Sequence, residues 1–106
     1  MPAPSQPKTP AAEVRLVVEQ EKIHRLIDRL KTDDRAAAAA ELVQRGQLAI
    51  PALLEALERR DLELRCRALE VMQRLLGDVH FDPYAPEALR HQQIALIRER
   101  TQRRAG

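Results

Sequence analysis

The chain has 106 residues, of which 44% are hydrophobic and 32% charged, and its formal net charge is +2. That length suits one domain with a modest core and excludes a large enzymatic cleft. The mild charge lacks the concentrated basic stripe of nucleic-acid binders, and no apolar run approaches the length of a membrane span.

Residues 1–9 hold Pro2, Pro4 and Pro7 among small polar residues. Such a segment cannot bury apolar area and is expected to be disordered or extended. It contains no apolar signal core, so the cytoplasm is the expected compartment. The lone Cys66, which leaves no intrachain disulfide, fits a reducing environment. A single ordered domain is expected over residues 10–104, with Thr9 as N-cap and Pro10 at the first helical position.

The first helix is expected from Pro10 to Lys31. Leu16, Ile23, Leu26, Ile27 and Leu30 form its stripe, with Val14, Val17 and Val18 at the front. Asp33 and Asp34 break the pattern and offer an N-cap for a second helix from Arg35 to Arg45. The alanine run from Ala36 to Ala40 favours helix and permits close approach of a neighbour. Gly46 suits the left-handed position that closes helices. A third helix is expected from Leu48 to Arg59, with Pro51 in the first turn, where a missing amide costs nothing. Asp61 caps a fourth helix that places Leu64, Ala68, Met72 and Leu75 inward and ends at Gly77. Residues 77–86 read as an ordered loop. Within it Asp82-Pro83 forms a turn, and Phe81 and Tyr84, the chain's only aromatic residues, pack against the neighbouring helices. A fifth helix is expected from Pro86 to Arg103, with Leu89, Gln93, Leu96 and Ile97 on one face, Ile94 beside it, and a fraying arginine-rich end. Nothing alternates for long enough to suggest strands.

Two stretches repeat. Leu26-Ile27-Asp28-Arg29-Leu30 corresponds to Leu53-Leu54-Glu55-Ala56-Leu57 at an offset of 27, while Arg35, Ala38 and Leu42 correspond to Arg65, Ala68 and Met72 at an offset of 30. The difference implies a first hairpin whose turn is three residues shorter. A period near 30 is typical of helical repeat arrays.

The second unit, Ala49-Ile50-Pro51-Ala52-Leu53-Leu54-Glu55-Ala56-Leu57 followed by Asp61, Arg65 and Ala68, resembles a HEAT repeat of the short bacterial type. The tail Phe81-Asp82-Pro83-Tyr84-Ala85-Pro86, with Arg90 and Ile94, is similar to an ending found after the last repeat of some bacterial HEAT proteins. The resemblance covers roughly residues 20–98. It implies an all-α fold, a short α-solenoid of two HEAT-like hairpins plus a C-terminal capping helix, about five helices in all. It also implies structural roles for Asp34, Arg35, Pro51, Asp61 and Arg65, with Asp and Arg of successive units pairing along the stack. The first unit departs from the pattern in lacking the proline.

No chemical site stands out. Cys66 lies between Arg65 and Arg67, and positive neighbours can activate a thiol, but a small partly apolar core residue is the better reading. Asp78, His80 and Asp82, with His91 downstream, offer ligand atoms without a second cluster, so turn formation explains them better than a metal. His24 reads as a rim residue. Ser5 is the only serine, and the three glycines cannot build a phosphate loop. No catalytic set, cofactor or metal is expected.

The leading expectation is therefore a non-catalytic adaptor that binds another protein through its concave face or the ends of the stack. Arg67, Glu70, Gln73 and Arg74 on the fourth helix are the candidate contact residues, against the plainer reading of a solvated face with an internal ion pair. The alternative is nucleic-acid binding through Arg98, Arg100, Arg103 and Arg104 in the last helix. The family resemblance adds a third reading, a lyase-like or chaperone-like HEAT protein. Self-association through exposed apolar ends is compatible with the first.

Overall fold

Aspartate, glycine and proline punctuate the chain into short helices, and the computed structural model follows that punctuation. It describes the backbone of residues 10–105 and the side-chain surroundings of residues 14–103. The readings made of residues 1–9, including the Thr9 cap, lie outside the described residues. The elements are α1 (Pro10–Arg29), α2 (Arg35–Arg45), α3 (Ile50–Glu58), α4 (Leu62–Leu76) and α5 (Glu87–Ala105), with a 3-10 turn, Gly46–Ala49, leading into α3. The architecture is all-helical among the described residues, and no described helix is long and apolar enough to cross a membrane.

Packing explains the order. α1 lies against α2 and α3 against α4, while α1 also touches α3, α2 touches α4, and α5 covers α3. α3 is therefore central, and six of its nine residues are buried. Each fully buried leucine or isoleucine contributes about 1.5–3 kcal/mol. The core centres on Ile23 of α1, Leu30 just after it, Leu42 of α2, Leu53 and Leu57 of α3, Met72 of α4 and Ile94 of α5, all fully buried.

The helix ends show which local signals hold. Asp61 caps α4, its Oδ1 accepting the Leu64 N–H at 3.1 Å. Gly46 (φ 59°) and Gly77 (φ 81°) end α2 and α4 at positive φ, which other residues avoid. Pro51 stands in the first turn of α3. Asp34, in contrast, makes no side-chain cap. Its carboxylate is drawn instead to Arg29, while its N–H donates to the Thr32 hydroxyl at 3.1 Å. α1 accordingly ends at Arg29 rather than Lys31. The third helix also starts later than expected, because residues 46–49 form a tighter 3-10 turn.

Four further expectations are corrected. The turn of the first hairpin is longer, not shorter: residues 30–34 join α1 to α2, whereas residues 59–61 join α3 to α4. The missing residues come from the front of α2, which has 11 residues against 15 in α4. Burial supports the offset of 30 in these helices, since Ala38 and Leu42 match Ala68 and Met72 as fully buried residues.

The apolar front of α1 is not core. Val14, Leu16, Val17 and Val18 are 43–60% exposed. α1 runs for 20 residues, about 30 Å at helical rise, and its first half outreaches the 11-residue α2 and nine-residue α3.

α5 presents Arg90, Ile94 and Ile97 to the core, while Leu89 and Leu96 are 43% and 66% exposed. Its buried face is rotated by roughly a quarter turn from the expected one, at 100° per residue. In the preceding loop Phe81 is buried but Tyr84 is 73% exposed, so only one aromatic ring packs. Asp82 does form the turn, its Oδ1 accepting the Tyr84 N–H at 2.9 Å.

Candidate binding groove between α2 and α4

The alanine-rich sequence of α2 leaves open space beside α4. A groove of about 280 Å³ lies there, lined by Arg35, Ala36 and Ala39 of α2 and by Arg67, Glu70, Val71 and Arg74 of α4, with Leu30 at its base. Leu30 and Val71 are each only 1% exposed, so the groove touches the core itself. Residues 67, 70, 71 and 74 share one helix face through their i, i+3, i+4 and i+7 spacing.

Its charge is unbalanced. Three guanidinium groups face one carboxylate, and Arg67 Nη1 already donates to Glu70 Oε1 at 3.4 Å. Arg67 Nε is buried with no acceptor. Elsewhere Arg25, Arg29, Arg45, Arg98 and Arg103 pair with Glu21, Asp34, Glu19, Glu58 and Glu99. Arg65, Arg90 and Arg100 donate to backbone carbonyls. Among the described residues Arg15, Arg35, Arg59, Arg60 and Arg74 make no such contact, and of these Arg35 and Arg74 stand on opposite walls of the same groove.

The structure thus brings Arg67, Glu70 and Arg74 together and leaves Gln73 outside the lining, exposed on α4. It adds Arg35, Ala36 and Ala39, which the α4 pattern alone does not indicate. The alanine run was the available signal. Ala38 uses its small size to bury against the core, but Ala36 faces solvent and keeps the groove open.

The expected Asp–Arg pairs along the stack do not form. Asp61 pairs with Lys31 of the preceding hairpin, and Asp34 with Arg29. Arg35 points to the groove. Arg65 is buried and clamps two turns, donating from Nε to the Pro83 carbonyl at 3.0 Å and from Nη1 to the Arg59 carbonyl at 2.8 Å. The hydrogen bond from Lys31 holds the Asp61 carboxyl below its ordinary value, helped by the Leu64 N–H, and Asp61 raises Lys31 in return.

The basic face of α5 is largely engaged. Arg100 donates to the Asp78 and Leu76 carbonyls at 2.6 and 2.9 Å, so it caps the end of α4. Arg98 lies 3.7 Å from Glu58, and Arg103 lies 3.0 Å from Glu99. The Arg104 side chain lies outside the described residues. A second groove, about 310 Å³, runs between α3 and α5 past Ile50, Pro51, Leu54 and Arg98.

Cys66 is half-buried on α4. His24 is a rim residue whose Nδ1 donates to the Gln20 carbonyl at 2.8 Å. Among the described residues no three His, Cys, Asp or Glu side chains gather as a metal site would require. Compared with known proteins, the chain matches no family model, no curated protein and no solved structure.

Proposed function

We propose that this chain is a HEAT-type protein-interaction module that holds a segment of another protein in the α2–α4 groove. In this reading α1–α2 and α3–α4 are two stacked hairpins, α1, α3 and α5 form one layer, and α2 and α4 form the other. The contacts of α1 with α3, of α2 with α4, and of α5 with α3 support that layering. α5 then closes the stack, which helps a two-hairpin array to stand without a third unit.

The observation that carries the proposal is the groove. It joins an apolar base to a polar rim, the composition of a protein-binding patch. Its side chains suit binding better than conversion, because its single carboxylate is held by an arginine and no nucleophile faces it.

Selection from a random-peptide display library on the full chain tests this. Ala36→Trp would fill the groove with an indole, whereas Ala37→Trp places the same ring on an exposed position outside the lining. Peptides that bind the native chain and the Ala37→Trp variant but lose the Ala36→Trp variant support the proposal. Peptides indifferent to both substitutions, or no peptides at all, contradict it.

A further inference from the structure

We infer that the partner segment is acidic, and that Arg35 and Arg74 clamp its carboxylates from opposite walls of the groove. This deepens the interaction reading above and rests on it. Besides Arg67, eight described arginines meet carboxylates or carbonyls. Arg15, Arg35, Arg59, Arg60 and Arg74 make no such contact among the described residues, and of these Arg35 and Arg74 line this groove, one on each of the two helices that flank it. Arginine presents a planar fork of donors that matches a carboxylate bidentately. Arg67 adds to the lining a third positive charge that Glu70 meets at only one nitrogen, while its buried Nε has no acceptor.

The base of the groove decides between classes of acidic partner. Leu30, Ala36, Ala39 and Val71 offer aliphatic contact, which suits a peptide side chain set between acidic ones. A nucleic acid would need a track of free cations and aromatic stacking surfaces. Glu70 interrupts such a track, no aromatic residue lines the groove, and the described arginines of α5 are engaged. The groove therefore fits a segment that alternates acidic with aliphatic residues.

Fluorescence anisotropy with the full chain tests this. The probe is a mixed-sequence pool of short fluorescein-labelled peptides built from glutamate, aspartate, leucine and alanine. A matched pool carries glutamine and asparagine in place of the acids, and a labelled single-stranded oligonucleotide of equal charge is the third probe. The acidic pool is expected to bind, weakening as salt rises. Arg35→Glu and Arg74→Glu should each reduce its affinity by about tenfold or more. Arg59→Glu and Arg60→Glu make the same charge change outside the groove lining and should stay within about twofold.

Equal losses from the Arg59 and Arg60 variants would overturn the inference, because long-range attraction would then explain the binding. Equal binding of the amide pool, lost on Ala36→Trp, would sink the acidic partner but leave the interaction module standing. Tighter binding of the oligonucleotide, lost with Arg35→Glu, would overturn both. Failure of every probe would overturn the acidic partner, and the display selection would then decide the module separately.

Discussion

Replacing Arg65 tests how the second hairpin is held to the closing loop. Arg65 is 7% exposed and spends its guanidinium on two carbonyls, Pro83 and Arg59, which belong to different turns. A hydrogen bond from a charged donor contributes about 1.5–3 kcal/mol. Two such bonds give about 3–6 kcal/mol, and the low end applies because water can reach freed carbonyls near a surface. Arg65→Ala should therefore cost about 3 kcal/mol and lower Tm by more than about 10 °C, given the entropy of unfolding of a chain this size. Arg65→Lys should recover only part of the loss, since one ammonium cannot reproduce the fork. Urea unfolding followed by circular dichroism gives the free energy, and hydrogen exchange gives the location. Exchange should accelerate first in residues 79–85. A loss below about 1 kcal/mol, within the range of an ordinary surface substitution, would refute the clamp.

Three further predictions follow from the helix ends and faces. Gly77→Ala should cost about 1–3 kcal/mol through backbone strain alone, since φ is 81° and nothing lies within 4 Å of the added carbon; thermal unfolding measures it. Ile97→Ala should cost about 3 kcal/mol and Leu96→Ala no more than about 0.5 kcal/mol, and urea titrations of the pair report the rotation of α5 directly. The Lys31–Asp61 pair predicts acid sensitivity. Asp61 titrates below its ordinary value of 3.8 when folded, so its contribution is present above that pH and is lost as pH falls through the folded value. Lys31→Met should flatten the fall of Tm with acid, whereas a slope identical to that of the native chain would remove the pair from the account. Lys31, raised above 10.5, makes the opposite contribution, present below 10.5 and lost as pH rises through its folded value.

Helix positions were legible wherever a single residue has a local task. Asp61 caps, Gly46 and Gly77 stop, and Pro51 starts a helix, all for reasons contained within a few residues. Asp34 has the same composition signal as Asp61 but a competing arginine one turn away, so its carboxylate leaves the helix end. Faces were less legible. On α5, Leu89 and Leu96 meet the helical spacing as well as Ile94 and Ile97 do, and only the position of α3 selects between them. The burial of Arg90 deepens that ambiguity, because a pattern of apolar residues cannot anticipate a charged one whose Nη1 donates to the Ala85 carbonyl at 2.7 Å. The front of α1 reads as core by composition, yet its neighbours are too short to cover it.

The candidate site was half legible for the same reason. The α4 wall follows from spacing on one helix, so Arg67, Glu70 and Arg74 were identifiable together. The α2 wall depends on which face of an alanine run meets α4, which spacing does not specify. Arg35 gained its place only once the missing turn was located at the front of α2 rather than in the connection.

Amide chemical-shift mapping tests the central claim most directly. The isotope-labelled full chain would be titrated with the acidic peptide pool and the shifted residues placed on the structure. The account predicts a continuous patch over residues 35–39 and 67–74, with little change in residues 98–103. Shifts centred on α5 or on the exposed front of α1, with the α2–α4 groove unmoved, would contradict it.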